Sequence, residues 1–261
     1  MKNLLRTVAV LAAVLTLCAP MRAAGTNTPG VSARCCLVMD AGSGEILYEK
    51  NADERSLIAS TTKIMTGLLA CRLVDLDAAF EIPPEAVGVE GSSMYLKAGE
   101  TLTGEDLLYG MMLHSGNDAA VALAIAASGS EDAFAAEMNR EAAALGLNNT
   151  RFANPHGLDD PDNYSTARDL ARLTAAAMSD ENFRRVVSAR TKTVGTRALT
   201  NHNKLLWTCE GCIGVKTGYT KAAGRILVSA AEREGRTLIV VTIDDPDDWS
   251  DHKRLYAHFF R

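Results

Sequence analysis

The residues of this sequence best placed to do chemistry together are a serine and a lysine three positions apart. Ser60 and Lys63 form an S-x-x-K stretch at the start of an apolar run with helical spacing. Residues at this spacing share one helix face, so the lysine amine can reach the serine hydroxyl. Serine is a poor nucleophile until a base removes its proton, and lysine can be that base if burial or a nearby cation lowers its pKa. The pair therefore predicts a lysine-activated serine at a helix N-terminus, where the helix dipole favours developing negative charge.

Two further motifs could complete such a site. Ser115 and Asn117 form S-G-N in a turn between two apolar runs, and Lys216, Thr217 and Gly218 form K-T-G before a predicted strand hairpin. The lysine of the K-T-G triplet is the candidate for the cation that lowers the pKa of the base. Each motif is weak alone. The three in this order resemble the set found in penicillin-binding proteins and class A β-lactamases, with S-G-N in place of S-D-N.

Other residues compete for the roles of nucleophile and base. A second S-x-x-K, Ser250 to Lys253, follows an acidic loop on a highly polar stretch, which favours a solvated pair over a catalytic one. The histidines lie in no nucleophile-elbow or H-E-x-x-H context, so they are expected to be surface or loop residues. His156 and His202 lie in loops that could border a cleft. The full set is His114, His156, His202, His252 and His258.

The elements that must position these motifs follow from the hydrophobic periodicity. Two strand hairpins are predicted near the ends of the chain, and helices between them, with a last helix at the C-terminus. Because strands lie at both ends, they are expected to share one sheet in an α+β fold. The predicted hairpins cover 34–52 and 224–244, and the predicted helices cover the run from Ser60, 104–128 with a break at Ser115, 130–147 capped by Ser130, 165–178 and 249–260.

The N-terminus has the pattern of a secretory signal peptide. A basic start and an apolar core at 7–20 precede small residues, which places cleavage near Ala24. A lipoprotein with Cys18 acylated is the alternative. No second apolar segment reaches the roughly 20 residues needed to span a membrane. We therefore expect residues 1–24 to be removed and the mature protein to lie outside the cytoplasmic membrane, secreted or in the cell envelope, with no membrane span.

Charge and cysteine content exclude several other classes. The chain has 261 residues, and its net charge of −5 gives no reason to expect nucleic acid as a partner. Five cysteines follow Cys18, and this odd number argues against a complete disulfide framework. Cys35 and Cys36 are adjacent in a strand-like run and should point to opposite faces. Cys209 and Cys212 form a CxxC without the second CxxC of a zinc site, which favours a small local bridge or two free thiols.

From about Ala33 onward the sequence resembles the serine D-alanyl-D-alanine carboxypeptidases, the low-molecular-mass penicillin-binding proteins of the peptidase S11 family. The resemblance extends well beyond the three motifs. The stretches that carry it include MDAGSGEILYEKNADERSLIASTTKIMTGLLA, VEGSSMYLKAGETLTGEDLLYGMMLHSGNDAAVALA, NPHGLDDPDNYSTARDLA and GVKTGYTKAAGRILVSAA.

This resemblance implies a fold and a set of partners. The fold is the penicilloyl-serine-transferase fold, an α+β arrangement with an antiparallel sheet of about five strands flanked by helices, plus a helical subregion. The site lies in the cleft between the two parts. The implied partners are a peptidoglycan stem peptide ending in D-Ala-D-Ala and β-lactam antibiotics as covalent inhibitors. No metal or organic cofactor is implied. Residues 25–261 are expected to form this catalytic domain, without the C-terminal β-domain or membrane anchor of many relatives.

The resemblance also implies roles for the residues that do the chemistry. By motif match Ser60 is the acylated nucleophile, Lys63 is its base, and Ser115 relays a proton toward the leaving D-alanine. The oxyanion hole consists of the backbone amides of Ser60 and Tyr219.

A second set of residues is implied to bind the substrate. Asn117 holds the peptide carbonyl of the substrate. Lys216 and Thr217 meet its terminal carboxylate, and Gly218 completes the K-T-G triplet.

The implied reaction removes the terminal D-alanine from a stem pentapeptide through an acyl-enzyme that water then hydrolyses. A serine β-lactamase is one alternative, but it needs a carboxylate to activate the deacylating water. The loop 154–163 offers only Asp159, Asp160 and Asp162 for this and lacks an E-x-x-L-N. A non-catalytic penicillin- or peptidoglycan-binding domain is the other alternative, and such a domain usually loses a catalytic group, whereas none is missing here.

Overall fold

The computed structural model describes residues 29–261, so the predicted signal segment 1–24 lies outside the described residues. The strands are β1 (Cys35–Asp40), β2 (Ile46–Lys50), β3 (Ser56–Leu57), β4 (Ala79–Glu81), β5 (Thr101–Thr103), β6 (Tyr164–Ser165), β7 (Thr191–Val194), β8 (Arg197–Thr200), β9 (Cys212–Thr220), β10 (Gly224–Arg233) and β11 (Arg236–Ile243). The helices are α1 (Lys63–Leu73), α2 (Gly104–Leu113), α3 (Asn117–Ser128), α4 (Glu131–Ala144), α5 (Ala167–Met178), α6 (Glu181–Ser188), α7 (Leu205–Thr208) and α8 (Asp248–Phe259).

The main sheet has five antiparallel strands in the order β2-β1-β11-β10-β9. The two predicted hairpins are confirmed, and β1 pairs with β11 from Cys35 opposite Ile243 to Asp40 opposite Leu238. The terminal strands therefore share one sheet, and the predicted α+β fold is confirmed. Strand β9, which carries the K-T-G triplet, lies at the edge of the sheet, where one side is open to other parts of the chain.

The two faces of the sheet are covered by different helices. Side chains alternate between the faces of a strand, and Cys35 and Cys36 accordingly belong to two separate apolar clusters. The first cluster joins the sheet to the central helices, with α5 against β1 and β11. The second lies under α8, which packs on β10 and β11. The prediction that these two cysteines point to opposite faces is confirmed, and all five described cysteines, including Cys209 and Cys212, are free thiols.

The predicted helix starts carry the capping contacts that their sequences indicate. Ser130 accepts from the Ala133 N–H at the start of α4, and Thr166 accepts from the Asp169 N–H at the start of α5. Thr103 and Asp106 form a reciprocal capping box at the start of α2. Within the described range no single helix is long and apolar enough to cross a membrane, and α3 and α4 pass that test only as a pair bent by 81°.

His252 corrects the expectation that the histidines are surface or loop residues. It lies fully buried on the inner side of α8. Its Nδ1 pairs with the Ser229 hydroxyl at 2.7 Å and its Nε2 with the Thr242 hydroxyl at 2.9 Å. Burial lowers the pKa of this imidazole to about 3. The ring is tolerated in the core because both nitrogens have hydroxyl partners.

Candidate active site

Ser60 lies in a 3₁₀ turn, Ala59–Thr62, and α1 begins only at Lys63. The sequence predicted a helix from Ser60 onward, but the α-helix begins three residues later, and the Ser60 side chain makes no capping hydrogen bond. The turn is fixed instead by Thr61, whose N–H and hydroxyl both donate to the Ile58 carbonyl, at 3.1 and 2.6 Å. Ala59 has a φ of +45°, in the region that favours glycine, so the backbone just before Ser60 is strained.

Two glycines allow other backbone segments to approach this turn closely. A Cβ on Gly218 of β9 would lie 3.3 Å from the Ser60 nitrogen, so the edge strand runs directly beside the serine. Gly157 has a φ of +90°, and a Cβ there would lie 2.0 Å from the Ala59 carbonyl oxygen. The missing side chain is essential at Gly157 and allows a tight approach at Gly218, so the chain can place the serine between strand and loop.

Replacing Gly157 with alanine is expected to displace the Ser60 turn as well as destabilise the fold. A methyl group at 2.0 Å from a carbonyl oxygen must push the turn away. The acylation of Ser60 that the sequence leads us to expect should then slow about 100-fold, because roughly 1 Å of misplacement can cost that much. Gly129, with a φ of +81° and nothing within 4 Å of its Cβ, is the matched control. Gly129→Ala should lower the melting temperature without slowing penicillin acylation. Equal acylation rates in the two variants would contradict the prediction.

Lys63 is fully buried and its amine points at the serine. Nζ lies 3.1 Å from Ser60 Oγ, 2.7 Å from Asn117 Oδ1 and 2.5 Å from the His156 carbonyl oxygen. A protonated amine would donate to all three. A neutral amine would donate to the amide and the carbonyl and accept the serine hydroxyl proton with its lone pair, so the same three contacts suit a base.

The electrostatics of this amine also favour the neutral form. Burial lowers the pKa of Lys63 well below its usual value, and the charge of Lys216 lowers it further. The carboxylate of Asp118 acts in the opposite direction, but it is the smallest of the three effects. The K-T-G lysine, Lys216, thus lowers the pKa of Lys63 as the sequence predicted, although burial lowers it more.

Lys216 and Ser115 meet on the other side of the site. Lys216 is buried, and its Nζ donates to Ser115 Oγ at 3.1 Å and to the Thr217 carbonyl at 2.9 Å. Burial lowers the pKa of Lys216 to about 7. Ser115 lies at the break between α2 and α3 with a φ of +62°, and this left-handed conformation lets the chain turn so that the hydroxyl faces β9.

Asn117 is the first residue of α3, and both the oxygen and the nitrogen of its side-chain amide form hydrogen bonds within the protein. Its Oδ1 accepts from Lys63, and its Nδ2 donates to the Glu90 carbonyl at 2.5 Å. Gly91, next to Glu90, has a φ of +90°, and a Cβ there would lie 2.8 Å from Nδ2. An amide nitrogen carries two hydrogens, so one remains for another acceptor.

These motifs surround a cleft of about 330 Å³. Ser60, Ser115, Thr217, Gly218 and Tyr219 line it directly, whereas Lys63, Asn117 and Lys216 are buried behind its wall. The structure thus brings together every site residue that the sequence predicted. Other residues also line the cleft, and the three sequence motifs assign no role to them: Ser92, His202, Lys204, Arg225, Ile226, Asp248 and Trp249.

The two histidines near the cleft are held neutral. His202 lines the cleft, and its partial desolvation there, together with the charges of Lys216 and His114, lowers its pKa to about 4. The ring of His156 is buried, and burial together with Lys63 lowers its pKa to about 4. Neither ring hydrogen-bonds to Ser60 among the described residues, so lysine remains the base beside the serine.

Comparison with known proteins decides the family. The model of the peptidase S11 family, D-alanyl-D-alanine carboxypeptidase, matches residues 22–247. The chain belongs to this D-alanyl-D-alanine carboxypeptidase family. It is 37% identical to the D-alanyl-D-alanine carboxypeptidase DacC of Escherichia coli over 278 residues, covering 99% of this chain and 70% of DacC. It is 36% identical to DacF of Bacillus subtilis, over 80% of this chain and 56% of DacF.

A solved structure supports the same family assignment. The D-alanyl-D-alanine carboxypeptidase of Streptomyces strain K15 is 40% identical over 239 residues, covering 83% of this chain and 82% of that protein. The crystal structure of the Streptomyces K15 DD-transpeptidase superposes with a TM-score of 0.85 at 35% identity, covering 90% of this chain and 99% of that one. The sequence-based assignment to this family and its fold is therefore confirmed.

Proposed function

We propose that the protein is a serine DD-carboxypeptidase that removes the terminal D-alanine of peptidoglycan stem pentapeptides. The reaction passes through an acyl-enzyme on Ser60, and β-lactams acylate the same hydroxyl. The observation that carries this proposal is a buried lysine amine 3.1 Å from that hydroxyl, in a chain of the D-alanyl-D-alanine carboxypeptidase family.

Acylation begins with the neutral amine of Lys63, which takes the Ser60 proton as the oxygen attacks the penultimate D-alanine carbonyl carbon. The backbone amides of Ser60 and Tyr219 stabilise the oxyanion that forms. When the tetrahedral intermediate collapses, the carbon–nitrogen bond breaks and the leaving amine takes a proton through the Ser115 hydroxyl. Water then hydrolyses the ester and restores the serine.

Substrate binding uses the groups behind and beside the nucleophile. Lys216 and Thr217 bind the terminal carboxylate, and Gly218 keeps the strand close enough for this contact. The remaining Nδ2 hydrogen of Asn117 binds the peptide carbonyl of the stem. The mechanism uses no metal or organic cofactor.

The cleft favours a carboxypeptidase over a β-lactamase. Among the described residues no carboxylate hydrogen-bonds to Ser60 or Lys63, and Asp159 of the loop 154–163 is exposed and accepts from Thr220 Oγ1 at 2.7 Å. None of these carboxylates is therefore placed to activate the water that would hydrolyse a penicilloyl ester on Ser60. We expect hydrolysis of that ester to be slow.

We also propose that residues 25–261 form the catalytic domain, that residues 1–24 direct secretion, and that the enzyme acts outside the cytoplasmic membrane. The support is the signal-like sequence together with the cell-wall substrate class of the proposed reaction.

One experiment tests the proposed function. The protein is incubated with a pentapeptide ending in D-Ala-D-Ala and, separately, with penicillin. We expect catalytic release of D-alanine from the peptide and one stable penicilloyl group per protein, seen by mass spectrometry. Rapid turnover of nitrocefin would support the β-lactamase alternative instead. Penicillin labelling with no D-alanine release would support the non-catalytic binder.

A further inference from the structure

Cys209 and Cys212 are two thiols, three positions apart, that no step of the proposed reaction uses. They lie at the corner where α7 ends and β9 begins, since Cys209 follows the last residue of α7 and Cys212 is the first residue of β9. Both are partly exposed free thiols. Among residues 29–261 no set of three histidine, cysteine or carboxylate side chains is placed to hold a metal ion. The described residues thus build no metal site around this pair, which leaves thiol chemistry.

The backbone of this corner already has the reach of a disulfide. The Cys212 N–H donates to the Cys209 carbonyl at 3.3 Å, which closes a four-residue turn. Gly211 takes a left-handed position in this turn, with a φ of +72°. A turn closed in this way brings its first and last Cα atoms within roughly 7 Å, and a disulfide spans Cα atoms roughly 4.4–6.8 Å apart.

The two side chains also point to the same side. Cys212 lies opposite Ala231 of β10, which belongs to the apolar cluster under α8, and paired residues of neighbouring strands share a face. Cys209 packs against the same cluster. Both sulfurs act on Tyr256 of α8, because burial raises the pKa of this phenol and the charges of Cys212 and Cys209 raise it further. The two sulfurs therefore lie on one side of the turn, as a disulfide requires.

The surroundings make the two thiols unequal as nucleophiles. Arg233 Nη2 lies 4.0 Å from Cys209 Sγ, and burial raises the pKa of this thiol while the arginine charge offsets part of the rise. The Cys212 thiol donates to the Gly214 carbonyl at 3.4 Å, and burial raises its pKa to about 11. Because the thiolate is the attacking form in disulfide exchange, Cys209 is the better placed of the two to attack.

We propose that Cys209 and Cys212 form a reversible disulfide, with Cys209 as the sulfur that attacks first. The oxidant is an organic disulfide, and oxidised glutathione serves as the probe. The Cys209 thiolate displaces one thiolate from the oxidant and forms a mixed disulfide. The Cys212 thiolate then attacks the Cys209 sulfur and releases the second thiolate. Two protons and two electrons leave the protein, and the oxidant becomes two thiols.

The bond joins α7 to the edge strand that carries the K-T-G triplet. Lys204, just before α7, and Thr217 of β9 both line the cleft, so the link fixes two parts of the cleft wall to each other. A cross-link also removes conformational freedom from the unfolded chain. We therefore expect the oxidised protein to melt about 2–6 °C above the reduced one. Disulfides persist outside the cytoplasm, where we propose that the enzyme acts.

The test incubates the native protein with an excess of oxidised glutathione, alkylates the remaining thiols in denaturant and digests the chain with trypsin. Cleavage after Lys204 and Lys216 gives a peptide, 205–216, that contains both cysteines and no other. We expect this peptide to lose two hydrogens and to escape alkylation, and we expect dithiothreitol to reverse both changes. The buried Cys35 and Cys36 should be alkylated in full.

Single serine variants test the order of attack. Cys212→Ser removes the second thiol, so a glutathionyl group should accumulate on Cys209. Cys209→Ser should acquire a glutathionyl group about 3- to 10-fold more slowly, and faster labelling of this variant would contradict the proposed order. Cys71→Ser, at another partly exposed thiol, is the matched control and should keep both the disulfide and the shift in melting temperature.

Two results would overturn the inference. One is full alkylation of both cysteines in peptide 205–216 after the native protein has been treated with oxidised glutathione. The other is an oxidised protein that melts at the same temperature as the reduced one, because a bond between α7 and β9 must restrict the unfolded chain. Both measurements are independent of D-alanine release, so they decide this inference whether or not the proposed function holds.

Discussion

Ser60→Ala is expected to stop D-alanine release, with kcat falling by roughly 10⁴-fold or more. The variant has no oxygen to form the acyl-enzyme, so penicillin should leave no covalent adduct detectable by mass spectrometry. Binding should survive, because Lys216, Thr217 and the remaining amide hydrogen of Asn117 are unchanged. A chromogenic competitor or calorimetry with the pentapeptide should therefore still show an affinity close to that of the wild type.

The chain contains its own control for this variant. Ser250 begins the second S-x-x-K, but it lies in the first turn of α8 and does not line the cleft. Ser250→Ala should therefore keep both D-alanine release and penicillin labelling at wild-type levels. A penicilloyl adduct on Ser60→Ala, mapped by peptide sequencing to another residue, would show that the nucleophile has been assigned wrongly.

Several parts of the site could be predicted because they depend on local spacing. Ser60 and Lys63 are three residues apart, and a 3₁₀ turn leading into an α-helix keeps them neighbours much as a continuous helix would. The break at Ser115 and the caps at Ser130 and Thr166 were predictable for a similar reason, since each depends on residues within one turn.

Contacts between distant segments explain what the sequence did not predict. The 3₁₀ turn at Ser60 packs against Gly157 and Gly218, which lie far along the chain. No pattern in the sequence around Ser60 predicts either contact. His252 sits on a polar-looking stretch, and only the fold reveals the two hydroxyls that make its burial tolerable. The pairing of Arg225 with a carboxylate of α8 likewise depends on how that helix packs on the sheet.

Helix α6 is a different case, because its signal is local and was available. Asp180 accepts from the N–H groups of Asn182 and Phe183, and the apolar positions 183, 186 and 187 recur at helical spacing. The helix has only eight residues, and so short a run gives few periodic positions to recognise. The β7–β8 hairpin was missed for the same reason, since each of its strands has four residues.

Lys63→Arg is expected to lower kcat/KM for the pentapeptide by about 10²- to 10⁴-fold, the range that a positioned general base contributes. An arginine keeps the positive charge but cannot give up its proton at any working pH, so the serine loses its base. Since the side chain is fully buried, the larger guanidinium could also disturb packing, and Lys63→Met is the companion variant that removes the amine at similar length. Both should lose penicillin acylation to a similar extent.

The pH dependence distinguishes a lost base from a merely disturbed site. Only the neutral amine of Lys63 accepts the serine proton, so kcat/KM of the wild type should rise as the pH increases through the lowered pKa of this lysine and level off above it. The arginine variant should lack that rise. Lys253→Arg, in the second S-x-x-K, should keep both the rate and the pH profile. Suppose instead that Lys63→Arg kept the wild-type rise of kcat/KM with pH and a kcat/KM within tenfold of the wild-type value. Another group would then have to remove the serine proton, and the buried amine 3.1 Å from the hydroxyl would have only a structural role.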